Sequence, residues 1–315
     1  VSISHRFVES NGIRMHLAEA GSGPLVVLLH GFLAYSAAWR HQLPVLAAAG
    51  YHAVAPDLRG YGDTEAPEGV RHYTQLHLAG DVIGLLDALG ADRAVVVGHD
   101  WGAMVAWTTA LLRPDRIRAV AGLSVPYVPR GPRSLRAMMC ERFGERHYIQ
   151  HFQQEGPAEA ELSADLTETF RRVLYSGSGA AQQLWDPVLA PGGRWLDAHP
   201  DPGAPPPWLT PAEFDALVST FARTGFTGGL NYYRATDLSW ELMAAWDGAR
   251  ITVPGLFVYG DRDSFGANAP GLIGALPTLI PGLRETVVLP GCGHWAQQER
   301  PAEVNEALTR FLAGL

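Results

Sequence analysis

Cysteine is scarce in this chain. The 315 residues hold two, Cys140 and Cys292, too few and too far apart for a disulfide framework. Neither lies in a C-x-x-C motif, and the pair fits a reducing compartment. Long apolar runs are missing as well. No stretch approaches the roughly 20 residues of a membrane span, and Val1-Ser2-Ile3-Ser4-His5-Arg6 carries no apolar signal region. The expectation is a cytoplasmic protein with no membrane partner. No Lys/Arg block offsets the net charge of -8. The cluster Arg130-Gly131-Pro132-Arg133 is short and broken, so a nucleic-acid partner is not expected. No glycine-rich phosphate loop follows a strand, because Gly21-Ser22-Gly23 precedes one and reads as a turn. No His/Cys/Asp spacing fits a metal site. Neither metal nor cofactor is expected.

What is present is globular: 47% hydrophobic and 18% charged residues. Leu25 to Leu29 is a continuous apolar run bounded by Gly23-Pro24 and Gly31, the pattern of a strand buried on both faces. Tyr51 to Ala55, Ala94 to Val97 and Arg116 to Ser124 read as further strands. Between them Thr74 caps a helix whose Leu78, Val82, Leu85 and Leu89 share one face, with Gly90 placed to stop it. This alternation predicts an α/β fold with a mostly parallel, doubly wound sheet. From about Pro126 to Trp246 the alternation stops, and helical signals stand at Glu159 to Leu174 and Pro211 to Phe221. Strands resume at Ile251 to Tyr259 and Thr286 to Leu289, and a last helix runs from Pro301 to Leu312. The division expected is a core of residues 1–125 and 247–315, interrupted by a helical cap of residues 126–246.

Gly98-His99-Asp100-Trp101-Gly102 stands between a strand and a helix. Small residues two before and two after a central side chain form the nucleophile-elbow pattern of α/β-hydrolases. The central residue here is Asp100. A carboxylate is a weak nucleophile towards acyl carbon, but it can displace a leaving group from a saturated carbon and become an ester. In this fold the acid and then the histidine follow in chain order, each after a late strand. Asp261 and Asp263 both suit the acid; His294, in Gly291-Cys292-Gly293-His294-Trp295, suits the base. Cys292 beside His294 offers a thiol nucleophile, but nothing around it resembles an elbow. The backbone N–H groups of Trp101 and of Phe32, after the first strand, are the expected oxyanion donors.

The chain resembles the soluble-type epoxide hydrolases of the α/β-hydrolase superfamily over nearly its whole length. The matching stretches are His30-Gly31-Phe32, Asp57-Leu58-Arg59-Gly60-Tyr61-Gly62-Asp63, the elbow, and the His294 segment; haloalkane dehalogenases share some of these. His147-Tyr148-Ile149-Gln150-His151-Phe152-Gln153 and Gly225-Phe226-Thr227-Gly228-Gly229-Leu230-Asn231-Tyr232-Tyr233-Arg234 are similar to the family segments that carry two ring-opening tyrosines. The resemblance implies Tyr148 and Tyr233 in that role and Asp263 as the acid. It implies a small apolar epoxide and water as reactants, with a homodimer as one expected assembly. Phe143, Phe152, Trp185 and Trp208 suggest an apolar pocket. One departure stands out. The family usually has Pro after His-Gly-Phe, where this chain has Leu33. The Phe32 amide is expected to be less firmly placed, slowing ester hydrolysis. The alternatives are a haloalkane or haloacid dehalogenase using the same Asp100, and a catalytically silent relative that binds a small ligand.

Overall fold

A computed structural model describes residues 2–315, the side chains of residues 267 and 268 apart. Its sheet grows from strands that bury both faces. In β3 (Leu25–Leu29) every residue is buried. Val27 and Leu29 belong to the apolar layer on one side of the sheet, and Val26 and Leu28 to the layer on the other. Each such side chain contributes about 1.5–3 kcal/mol on full burial. β5 (Ala94–His99) repeats the pattern, with Val96 on one side and Val95 and Val97 on the other.

Eight strands form one sheet in the order β1-β2-β4-β3-β5-β6-β7-β8. The remaining members are β1 (Ser4–Ser10), β2 (Ile13–Ala20), β4 (His52–Pro56), β6 (Ile117–Leu123), β7 (Gly255–Gly260) and β8 (Leu283–Leu289). β2 runs antiparallel to both its neighbours, and the pairings from β4 across to β8 are parallel. The chain leaves β3 towards β4 on one side and returns to place β5 on the other. That reversal of strand order between β3 and β5 opens a crevice at their carboxyl ends, where doubly wound sheets carry their sites. The register pairs Leu29 with Gly98, so the residues after each strand emerge side by side.

Between β6 and β7 the described residues form helices, with one isolated bridge between His147 and Val188. The expected helix from Glu159 to Leu174 is two, Pro157–Ser163 and Leu166–Ser176. Asp165 starts the second by accepting the Glu168 N–H at 2.9 Å. Pro211–Thr224 begins with a capping box between Thr210 and Glu213. β7 starts later than expected. Pro254 has no N–H for the ladder, and Ile251 N–H turns away to the Leu279 carbonyl. Phe152, Phe170, Phe226 and Trp195 of the insert join the same apolar cluster as Phe32 and Trp101. Among the described residues no helix is long and apolar enough to cross a membrane.

Candidate active site

The turn after β5 is tight because its glycines have no room for a side chain. A Cβ on Gly98 would lie 2.0 Å from the Gly102 carbonyl oxygen, and one on Gly102 would lie 2.2 Å from that of Leu29. The turn forces Asp100 to φ 54 and ψ -120, a conformation that costs a non-glycine residue about 1–3 kcal/mol. It also aims the Asp100 carboxylate into the crevice. The Phe32 N–H donates to Asp100 Oδ1 at 2.8 Å. Asp100 Oδ2 lies 3.6 Å from His294 Nε2, and His294 Nδ1 lies 3.2 Å from Asp263 Oδ2. Asp263 Oδ1 accepts the Phe265 N–H at 3.0 Å, so both of its oxygens are occupied and fixed. Asp261 is exposed and braces the loop by accepting the Gly291 N–H at 2.7 Å.

Leu33 stands where the family usually has proline. It adopts φ 58, which a proline ring locked near -65° cannot reach. The Phe32 N–H before it donates to Asp100 Oδ1.

Tyr148 opens the helix Tyr148–His151, and Tyr233 lies in Thr227–Arg234. Both line a cavity of about 170 Å³ together with Asp100. Their rings are 6.0 Å apart, and Tyr233 stands edge-on to Trp101 at 4.9 Å. Tyr232 points elsewhere and donates its hydroxyl to the Arg59 carbonyl at 3.0 Å. Arg234 holds the two tyrosine-bearing helices together. It bonds the Phe152 and Gln154 carbonyls at 2.9 and 3.0 Å and grips Glu159 at 2.7 and 3.0 Å. Phe143 and Trp185 line the cavity. Phe152 packs behind it against Tyr148, and Trp208 lines a separate groove with Arg40 and Glu213.

Electrostatics follow from burial and from the two carboxylates. Burial opposes the charged form of His294, but Asp263 and Asp100 outweigh it and raise its pKa to about 10. Burial likewise opposes the Asp100 carboxylate, yet His294 and the Phe32 amide hold it below its ordinary value. Burial pushes both phenols up. The Asp100 charge adds to this at Tyr148, and Tyr148 and Asp100 add to it at Tyr233. Both are therefore neutral donors at neutral pH.

Sequence reasoning missed the scaffold around His294. Its N–H donates to the Gly177 carbonyl at 2.6 Å, and its carbonyl accepts from Ser124 Oγ at 2.6 Å and His99 Nε2 at 2.8 Å. The Glu299 carboxylate accepts the N–H groups of Gly179, Gly293 and Trp295 at 2.7, 3.2 and 3.0 Å. Cys292 is buried in the layer beneath the sheet, and burial raises its thiol. Away from the cavity, His16, Asp57 and Asp63 bring possible metal-binding atoms within 4.8 Å of one another. Those groups are already engaged. His16 meets Asp57 at 2.8 Å and His5 at 3.1 Å, and Asp63 pairs with Arg223. They tie β2 to the loop after β4.

The family model of the alpha/beta hydrolase fold matches residues 24–301. The elbow turn after β5 and the chain order Asp100, Asp263, His294 fit the pattern described for that fold. Epoxide hydrolase A of Mycobacterium tuberculosis is 46% identical over 99% of this chain and 98% of its own length. The crystal structure of epoxide hydrolase A from Mycobacterium thermoresistibile superposes with a TM-score of 0.93 at 47% identity, covering 100% of this chain and 99% of that one. An epoxide hydrolase from an endophytic Streptomyces gives 0.95 at 43% identity, covering 99% and 96%. Within the α/β-hydrolase fold, this chain belongs to the epoxide hydrolases.

Proposed function

We propose that this chain hydrolyses epoxides to vicinal diols through a covalent ester on Asp100. One observation carries the reading. The Asp100 carboxylate shares a cavity with two neutral phenols, Tyr148 and Tyr233, while its own oxygens face the Phe32 amide and His294. An epoxide opened by a carboxylate leaves an alkoxide, which needs a proton; a neutral phenol supplies one. A departing halide needs none, so the phenols favour the epoxide over an organohalide.

In the first step both phenols hydrogen-bond the epoxide oxygen. Asp100 Oδ2 attacks a ring carbon from the opposite side, because Oδ1 is held by the Phe32 amide. The carbon–oxygen bond breaks and a phenol proton passes to the new hydroxyl. Asp100 is now an uncharged ester. His294 has lost one of the two charges that raised its proton affinity, and the proton it releases restores the phenol. Neutral His294, aligned by Asp263, then takes a proton from water. The hydroxide adds to the Asp100 carbonyl, and the amides of Phe32 and Trp101 hold the oxyanion. The bond from the carboxyl carbon to Oδ2 breaks, Oδ2 leaves with the diol and takes the imidazolium proton, and the Asp100 carboxylic acid passes its own proton to His294, restoring the starting charges.

His294→Gln tests the sequence of steps. Incubated with a terminal aryl epoxide, it should gain the mass of one epoxide, mapped to Asp100. An inactive but unmodified protein contradicts the second-step role. We further propose that residues 126–246 act as the cap over a core of 1–125 and 247–315. The free thiols of Cys140 and Cys292 support a reducing compartment such as the cytoplasm. The homodimer is tested by sedimentation, with a species of twice the 34.0 kDa chain mass expected.

A further inference from the structure

One buried histidine has no part in this chemistry. His199 follows the helical turn Trp195–Ala198 and is 1% exposed. Its backbone is engaged: the N–H donates to the Leu196 carbonyl at 3.0 Å, and the carbonyl accepts from Arg172 at 2.7 Å. Its ring is not. Neither Nδ1 nor Nε2 has a hydrogen-bond partner among the described residues. A buried polar group left without one is costly, so such groups usually find a partner or mark a function. The Trp195 ring packs on the His199 ring with centroids 4.5 Å apart, and its Nε1 is also buried without a partner.

Both side chains line a narrow arm of the active-site cavity. The arm runs past Phe32 and Val173 and opens on Asp100, Tyr148, Tyr233 and His294. Burial, and then the Arg172 charge, push His199 down to about 3. Its ring is neutral at working pH and offers one N–H donor and one bare acceptor. The arm holds about 60 Å³. One water needs roughly 10–15 Å³ on this scale, so the arm fits a substituent of only a few heavy atoms. The wider arm, lined by Leu135, Met139, Phe143 and Leu272, is apolar.

We propose that His199 is a specificity-determining residue that hydrogen-bonds a hydroxyl on the short arm of the substrate. The preferred substrate class is then a 2,3-epoxy alcohol with an apolar chain on the far ring carbon. A hydroxyl both donates and accepts, which matches a neutral imidazole with Trp195 Nε1–H beside it. The proposal rests on the epoxide-hydrolase reading.

The test compares trans-2,3-epoxy-1-octanol with trans-3,4-epoxynonane, in which CH2CH3 replaces CH2OH, by kcat/KM for diol formation. The full chain should prefer the epoxy alcohol by about tenfold, the effect of one hydrogen bond in a dry site. In His199→Phe the ratio of the two kcat/KM values should fall most of the way to one, whatever the variant's rate on the epoxyalkane. His199→Asn, which keeps a donor and an acceptor, should retain part of it. A wild-type enzyme that turns over the epoxy alcohol no faster than the epoxyalkane overturns the subsite without recourse to a variant. So does a preference that survives unchanged in His199→Phe, the result expected if the ring merely packs against Trp195. No diol from either compound, and no adduct on Asp100, overturns the hydrolase reading and the subsite with it.

Discussion

Replacing Asp100 by Asn removes a charge while keeping the shape and the acceptor for the Phe32 N–H. The consequence falls on His294, whose Nε2 lies 3.6 Å from Asp100 Oδ2. A unit charge at that distance is worth about 4.6 kcal/mol at an effective dielectric constant of about 20, or a little over three powers of ten in proton affinity. The His294 midpoint, about 10 in the intact site, should therefore fall to about 7 in Asp100→Asn. The uncharged Asn stands in for the ester, so the same fall turns His294 into a base during turnover. The sign for stability follows. A histidine whose folded pKa is raised contributes stability that is fully present below its unfolded value and lost as pH rises through the folded one. In the wild type that loss extends up to about pH 10; in the variant it is complete nearer neutrality. The assay is an NMR titration of 15N-labelled imidazoles from pH 5 to 10.5, with thermal melts across the same range. A His294 midpoint unmoved by Asp100→Asn would refute the claim that the Asp100 charge controls its protonation.

Tyr148→Phe and Tyr233→Phe should each lower kcat/KM for diol formation by about 100-fold, and the double variant by far more; a double variant with near-normal activity would remove the phenols as proton donors. Asp263→Asn should cost about 10³–10⁴ in turnover, whereas Asp261→Asn, which keeps an acceptor for the Gly291 N–H, should stay within several-fold. The reverse order would exchange their roles. Leu33 is buried at φ 58, so Leu33→Ala and Leu33→Gly should both destabilise by about 2–5 kcal/mol. The Gly variant should be the more stable by about 1 kcal/mol, opposite to the usual order. Denaturant melts decide, and an Ala variant that is the more stable would contradict the left-handed backbone.

The parts of the molecule that could be read from sequence are those where one stretch of chain sets its own constraint. β3 and the Ala94–Val97 run of β5 announce themselves because both faces are buried, leaving no polar residue in either run. The elbow is legible because Gly98 and Gly102 leave no alternative at their contacts. β1 was invisible for the opposite reason: it is an edge strand, largely exposed, and shows no apolar alternation. The scaffold of His294 was also hidden. Ser124 is an ordinary residue until the fold brings it to the histidine loop from 170 positions away, and Glu299, near His294 in sequence, shows its role only when Gly179 arrives from 120 positions away. Arg234 sat beside a recognised tyrosine, but its partners Phe152 and Glu159 lie about 80 positions earlier in the chain. His199 stood in a segment rich in Pro and Gly, where only the folded cavity reveals its unpartnered ring.

A single turnover in water enriched in heavy oxygen measures the ester route most directly. With enzyme in excess over epoxide, the heavy atom should enter the Asp100 carboxylate, and the first diol released should carry only ordinary oxygen. Heavy oxygen in that first diol, with an unlabelled Asp100, would mean that water opens the ring itself and that the carboxylate is never alkylated.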